Sequence, residues 1–143
     1  WGDINFFSIL RKIYIVYFFK SDQFLVNSRD NESDKRLKNY INAQLNRLHD
    51  NLDKNSILIL TPILSPLQFK KNDDFNNIDN QRLEVINLMN NEIKNFKKKN
   101  IIYFDSYEIL NLYNPNDLFI DDCCHLTPFA SYKIAENLNY IVK

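Results

Sequence analysis

Short, unbroken apolar runs alternate along the chain with longer stretches in which apolar residues return every third or fourth position. Lys12 to Phe19 is β-branched and aromatic, too short for an ordinary helix and too apolar for an exposed strand, so it predicts a buried parallel strand. Ser33 to Asp53 sets Leu37, Tyr40, Ile41, Leu45, Leu48 and Leu52 at helical spacing, with Ser33 placed to cap the start. Ser56 to Thr61 predicts a second strand, stopped by Pro62 and Pro66, which lack the N–H groups a central ladder needs. A second amphipathic helix follows over Ile78 to Lys99, with Leu83, Ile86, Met89, Ile93 and Phe96 inward and lysines at its negative pole. Asn100 to Phe104 predicts a third strand. After a loop, Thr127 caps a last helix that carries Pro128 at its first position and turns Tyr132, Ile134, Leu138 and Ile141 inward.

Strand, helix, strand, helix, strand, loop, helix is the order of an α/β fold in which right-handed crossovers cover a parallel sheet with helices on both faces, a three-layer sandwich. Ligands of such sheets bind at the carboxyl ends of the strands, so the loops after Phe19, Thr61 and Phe104 are where chemistry is expected. The chain shows no repeat or linker. The polar, asparagine-rich stretch from Lys70 to Asn80 is short enough to be a loop, and residues 1–143 are expected to form one α/β domain.

Composition narrows the partners. Eighteen lysines and arginines balance eighteen aspartates and glutamates, so no net field draws nucleic acid or an anionic membrane surface. The longest apolar run, Ile13 to Phe19, is too short to span a bilayer, and no signal-peptide pattern opens the chain. A soluble, cytoplasmic protein is the default expectation, with upstream sequence, including any export signal, expected before Trp1. Oligomeric state is left open. A single glycine excludes the glycine-rich phosphate loops, and no cofactor is expected. Cys123 and Cys124 are adjacent, which strains any disulfide between them, and with His125 they lack the separated second pair that structural zinc uses; no metal is expected.

The residues best suited to chemistry lie just before the last helix, in Asp122-Cys123-Cys124-His125-Leu126-Thr127-Pro128. A histidine activates a hydroxyl only when a carboxylate holds its other ring nitrogen in the right tautomer. Asp122, three residues upstream, suits that role. Asp121 is its neighbour and can substitute, because loop geometry decides which carboxylate reaches the ring. His49 sits beside Arg47 and Asp50 on a polar helix side and is given no role, and the lysines at 94, 97, 98 and 99 read as a solvated face.

Leu118 to Asp122, the Asp-x-x-His spacing, Leu-Thr-Pro, and Ile134-Ala135 together resemble the last block of SGNH/GDSL hydrolases over about fifteen residues. Ala130 departs from the glycine common there. A second resemblance covers Phe19-Lys20-Ser21-Asp22, where that family carries Gly-x-Asn-Asp; glycine becomes Phe19 and asparagine becomes Ser21. The resemblance implies a flavodoxin-like sandwich of which this chain is the C-terminal part, its first strands lying upstream. It also implies a serine ester hydrolase, acting for example on acetylated carbohydrate, with His125 as base and Asp122 as its orienting acid. Ser21 stands for the oxyanion asparagine, whose loss costs about 2.7 to 4 kcal/mol of transition-state stabilisation, and Gly2 for the other oxyanion donor. No Gly-Asp-Ser element occurs, so the nucleophile is expected upstream and the chain alone is expected to be inactive. The rival reading is a noncatalytic α/β module that binds a partner or glycan, favoured by Phe19 and Ser21.

Overall fold

The computed structural model describes residues 30–70, 76–121 and 124–141. The strand expected at Lys12 to Phe19, and the candidate residues Gly2, Ser21, Asp22, Asp122 and Cys123, lie outside these residues. Packing separates residues 1–34 from residues 35–143, and the second unit holds every element below except the first turn of the first helix.

The described elements run α1 (Asn31–Asp50), β1 (Leu58–Leu60), a 3-10 turn (Pro66–Phe69), α2 (Asn77–Asn95), β2 (Ile101–Tyr103), α3 (Ser106–Leu110), α4 (Pro115–Leu118) and α5 (Pro128–Ile141). β1 and β2 pair in parallel, Leu58 opposite Ile101 and Leu60 opposite Tyr103. Two bonds extend the ladder, from the Leu58 amide to the Asn100 carbonyl and from the Phe104 amide to the Leu60 carbonyl. With α2 as its crossover, this is one β-α-β unit of a small α/β fold. The strands are shorter than the apolar runs that predict them.

α1 starts earlier than its serine suggests. Asp30 is the cap: its carboxylate accepts from the Ser33 amide at 2.7 Å, while the Ser33 hydroxyl accepts from the Asp30 amide at 3.1 Å. This is a reciprocal box with Ser33 in its third position. Leu37, Ile41 and Leu45 are buried as their spacing requires, whereas Tyr40 is exposed. Asn42 donates to Glu92 at 2.7 Å, which brings α1 against α2.

α2 is capped by Asn76, whose side chain accepts from the Asp79 amide, and buries Val85, Ile86, Met89 and Ile93. It ends at Asn95, so of the four lysines only Lys94 stands in its last turn. Lys97 to Lys99 belong to the return toward β2, where Asn100 takes the left-handed backbone (φ 63°) that asparagine tolerates better than most residues.

The remaining core gathers around Leu64, Leu110, Leu118 and Ala130, all buried, with Phe69, Tyr107, Phe119 and Leu126 packed on it. α5 reaches this core through Ala130 and Ile134; Tyr132 points outward at 62% exposure, contrary to the inward position expected of it. Tyr132 lies two residues from both, on the other side of a 3.6-residue turn. No described helix is long and apolar enough to cross a membrane.

Candidate functional site

The loop between α4 and α5 is closed at its base by backbone. Phe119 and Leu126 form an antiparallel bridge, the Ile120 amide donates to the His125 carbonyl at 2.8 Å, and the Thr127 amide donates to the Leu118 carbonyl at 2.9 Å. Thr127 locks the far side: its hydroxyl donates to the Asp117 carbonyl at 2.6 Å and accepts from the Ala130 amide at 3.2 Å, which makes it the expected cap of α5. The buried Ala130 methyl fits against Leu64, Leu110 and Leu118, so the departure from glycine here is filled by packing.

Within this closed loop three donors of the described residues Cys124 and His125 meet the Asp121 carboxylate. One carboxylate oxygen accepts from the amides of Cys124 (3.1 Å) and His125 (3.2 Å), and the other bonds Nδ1 of the His125 ring. The first two bonds fix the carboxylate, and the third lets it fix the imidazole. The acid brought to the ring among the described residues is thus Asp121, four residues upstream, the neighbour that loop geometry favours. An acceptor at Nδ1 makes the neutral ring carry its proton there, leaving Nε2 as a base. Nε2 makes no hydrogen bond with another described residue, and the His125 side chain is 66% exposed. His49, given no role, sets its ring Nδ1 3.3 Å from its neighbour Asp50.

The loop is tied to the carboxyl end of β1 by aromatic packing. Phe69, in the segment that leaves β1, meets Phe119 edge-on at 5.5 Å and Tyr107 at 5.0 Å between ring centres. The turn that carries Phe69 has its own capping box between Ser65 and Gln68, and the Tyr107 hydroxyl donates to the Gln68 carbonyl at 3.2 Å. Ser-Pro-Leu-Gln at 65–68 is a legible capping signature that the apolar pattern alone overlooks. Asn114-Pro115 likewise marks the start of α4, its amide side chain accepting from the Asn116 amide.

A second feature stands where ligands are expected, beside the loops after Thr61 and Phe104. A cleft of about 510 Å³ opens at the carboxyl ends of β1 and β2, between Pro62, Leu67, Gln68 and Lys70 on one side, Leu83, Asn87, Asn90, Asn91 and Lys94 of α2 on another, and Tyr103, Asp105 and Tyr107 on the third. Asn90 is structural: it accepts from the Ile63 amide at 2.7 Å and donates to the Ile63 carbonyl at 2.9 Å. Lys94 lies 3.6 Å from Asp105 and 5.7 Å from the centre of the Tyr103 ring. Burial, with the charge and hydrogen bond of Asp105 behind it, pushes the Tyr103 phenol up to about 12.

Compared with family models, curated proteins and solved structures, the chain matches none.

Proposed function

We propose that this chain carries the base and orienting acid of a serine-type ester hydrolase, with His125 as base and Asp121 as the acid that orients it. The observation that carries the reading is the Asp121–His125 bond, made in a loop whose backbone is closed on both sides and whose ring is otherwise exposed. In the reaction Nε2 takes the proton of a serine hydroxyl as its oxygen attacks the ester carbonyl. The imidazolium, steadied by Asp121, returns the proton to the departing alkoxide, and water then releases the acyl group by the same exchange. The serine comes from polypeptide outside the described residues, and the parallel pair is read as part of a larger sheet between two helical layers. The sequence resemblance to SGNH/GDSL hydrolases supports both readings.

Fluorophosphonate labelling and p-nitrophenyl acetate hydrolysis by the full-length polypeptide test this directly. His125→Gln should lower turnover at least about a thousandfold and abolish labelling of one serine. Equal rates would remove His125 from catalysis and favour the noncatalytic partner- or glycan-binding module suggested by Phe19 and Ser21.

A further inference from the structure

The cleft between α2 and the carboxyl ends of the two strands is separate in its lining from the Asp121–His125 pair and has a chemistry of its own. Its volume, about 510 Å³, falls in the range of small-molecule sites. Asn87 and Asn91 stand one helical turn apart on α2, both exposed, and both line it. Their amides make no hydrogen bond with another described residue. Asn90, between them, is instead spent on the Ile63 backbone.

Each side-chain amide presents a donor and an acceptor side by side, so two of them a turn apart suit a ligand whose groups both donate and accept. Charge in the cleft is largely cancelled. Lys94 and Asp105 face each other at 3.6 Å, which leaves Lys70 as the one lining cation without an acidic partner among the described residues. A cation would meet Lys70 unopposed, and an anion would find only that one solvent-exposed charge. Leu67, Leu83 and Pro62 supply apolar wall between the polar groups. Neutral hydroxyls on a carbon ring meet both demands, the amides taking the hydroxyls and the apolar wall the C–H faces.

We propose that this cleft is a saccharide-binding site in which Asn87 and Asn91 hold the hydroxyls of one sugar ring. The site stands whether or not His125 is catalytic.

The test is a titration of the intact polypeptide, labelled with 15N at asparagine, with cellobiose, maltose and N,N′-diacetylchitobiose in turn. Adenosine and inorganic phosphate serve as contrasting probes. The side-chain amide resonances of Asn87 and Asn91 should shift saturably with at least one disaccharide. The double variant Asn87→Ala, Asn91→Ala should weaken that binding about tenfold or more, the loss of two hydrogen bonds. Both positions are exposed on a helix, where alanine is the best former, so the variant should melt no earlier than the parent. His125→Gln should leave binding unchanged, which keeps this result apart from the hydrolase test. No saturable shift with any of the three sugars, equal binding by the double variant, or a response to adenosine or phosphate in their place would overturn the assignment.

Discussion

The Asp121 carboxylate reaches the Nδ1 edge of His125 while its other oxygen is held by the backbone amide of that same histidine. One side chain therefore sets both the path of the chain at residue 125 and the orientation of its ring. Asp121→Asn keeps the shape but presents an amide that can donate where only acceptance is useful. The neutral His125 ring should then move its proton from Nδ1 toward Nε2, visible in the ring 15N shifts. Ester turnover by the full-length polypeptide should fall by about 10⁴-fold, as for other orienting carboxylates. An unchanged tautomer would show that Asp121 does not govern the ring.

Thr127 joins that loop to α5 through a hydroxyl that both donates to Asp117 and accepts from Ala130. Thr127→Ala should destabilise the protein by about 1 kcal/mol in chemical denaturation, while Thr127→Ser should restore most of the loss. If the loop depends on the cap, the alanine variant should also speed amide exchange at His125.

Tyr103 gives a pH dependence with a definite sign. Its phenol ionises at about 12 in the folded chain against an ordinary value of 10.0. Between these values the unfolded chain has lost the proton that the folded chain still holds, so the folded state loses stability as pH rises through that window. Tyr103→Phe should flatten this part of the stability profile, and ultraviolet titration should lose one late-ionising phenol. A profile unchanged between pH 10 and 12 would exclude Tyr103 as its source.

The Leu118 side chain is fully buried against Leu64, Leu110 and Ala130. Leu118→Ala should cost about 2 to 5 kcal/mol by opening a cavity, and Ala130→Leu about 1 to 3 kcal/mol by overfilling the same space. Combined, the two should cost less than their sum, because the larger side chain at 130 enters the space vacated at 118. Urea denaturation of the three variants measures this.

The three long helices and the parallel pairing of the two described strands were legible because burial imposes a period. Leu37, Ile41 and Leu45, or Ile86, Met89 and Ile93, face one way only when the chain is helical, and short apolar runs between such stretches leave the parallel pairing little freedom. The boundaries were less legible. Asp30 and Asn76 outcompete the nearby serine and isoleucine as helix starts through bonds with the backbone that periodicity does not register. α3 and α4, expected as loop, are too short for a hydrophobic period and rest on Leu110 and Leu118, one buried apolar side chain each. At the site, the spacing of Asp122 and His125 resembles a family motif, but which carboxylate meets the ring depends on how residues 119–126 close on themselves. That closure comes from main-chain hydrogen bonds, which side-chain identities specify only indirectly. The place of the cleft at the strand ends was legible, but its lining was not: Asn87 and Asn91 look like ordinary solvated helix positions until Pro62, Tyr103 and Asp105 stand opposite them.

The bridge between Phe119 and Leu126 makes the Asp121–His125 contact a local device. Its footing, by contrast, is shared: the Thr127 hydroxyl and amide hold one strand of the loop to residues 117 and 118, and Phe119 and Leu126 both rest on the Leu64, Leu110, Leu118 and Ala130 core. The edge of Phe119 against Phe69 is one footing among several. Where the ring stands is therefore redundantly anchored, and no single aromatic contact decides it.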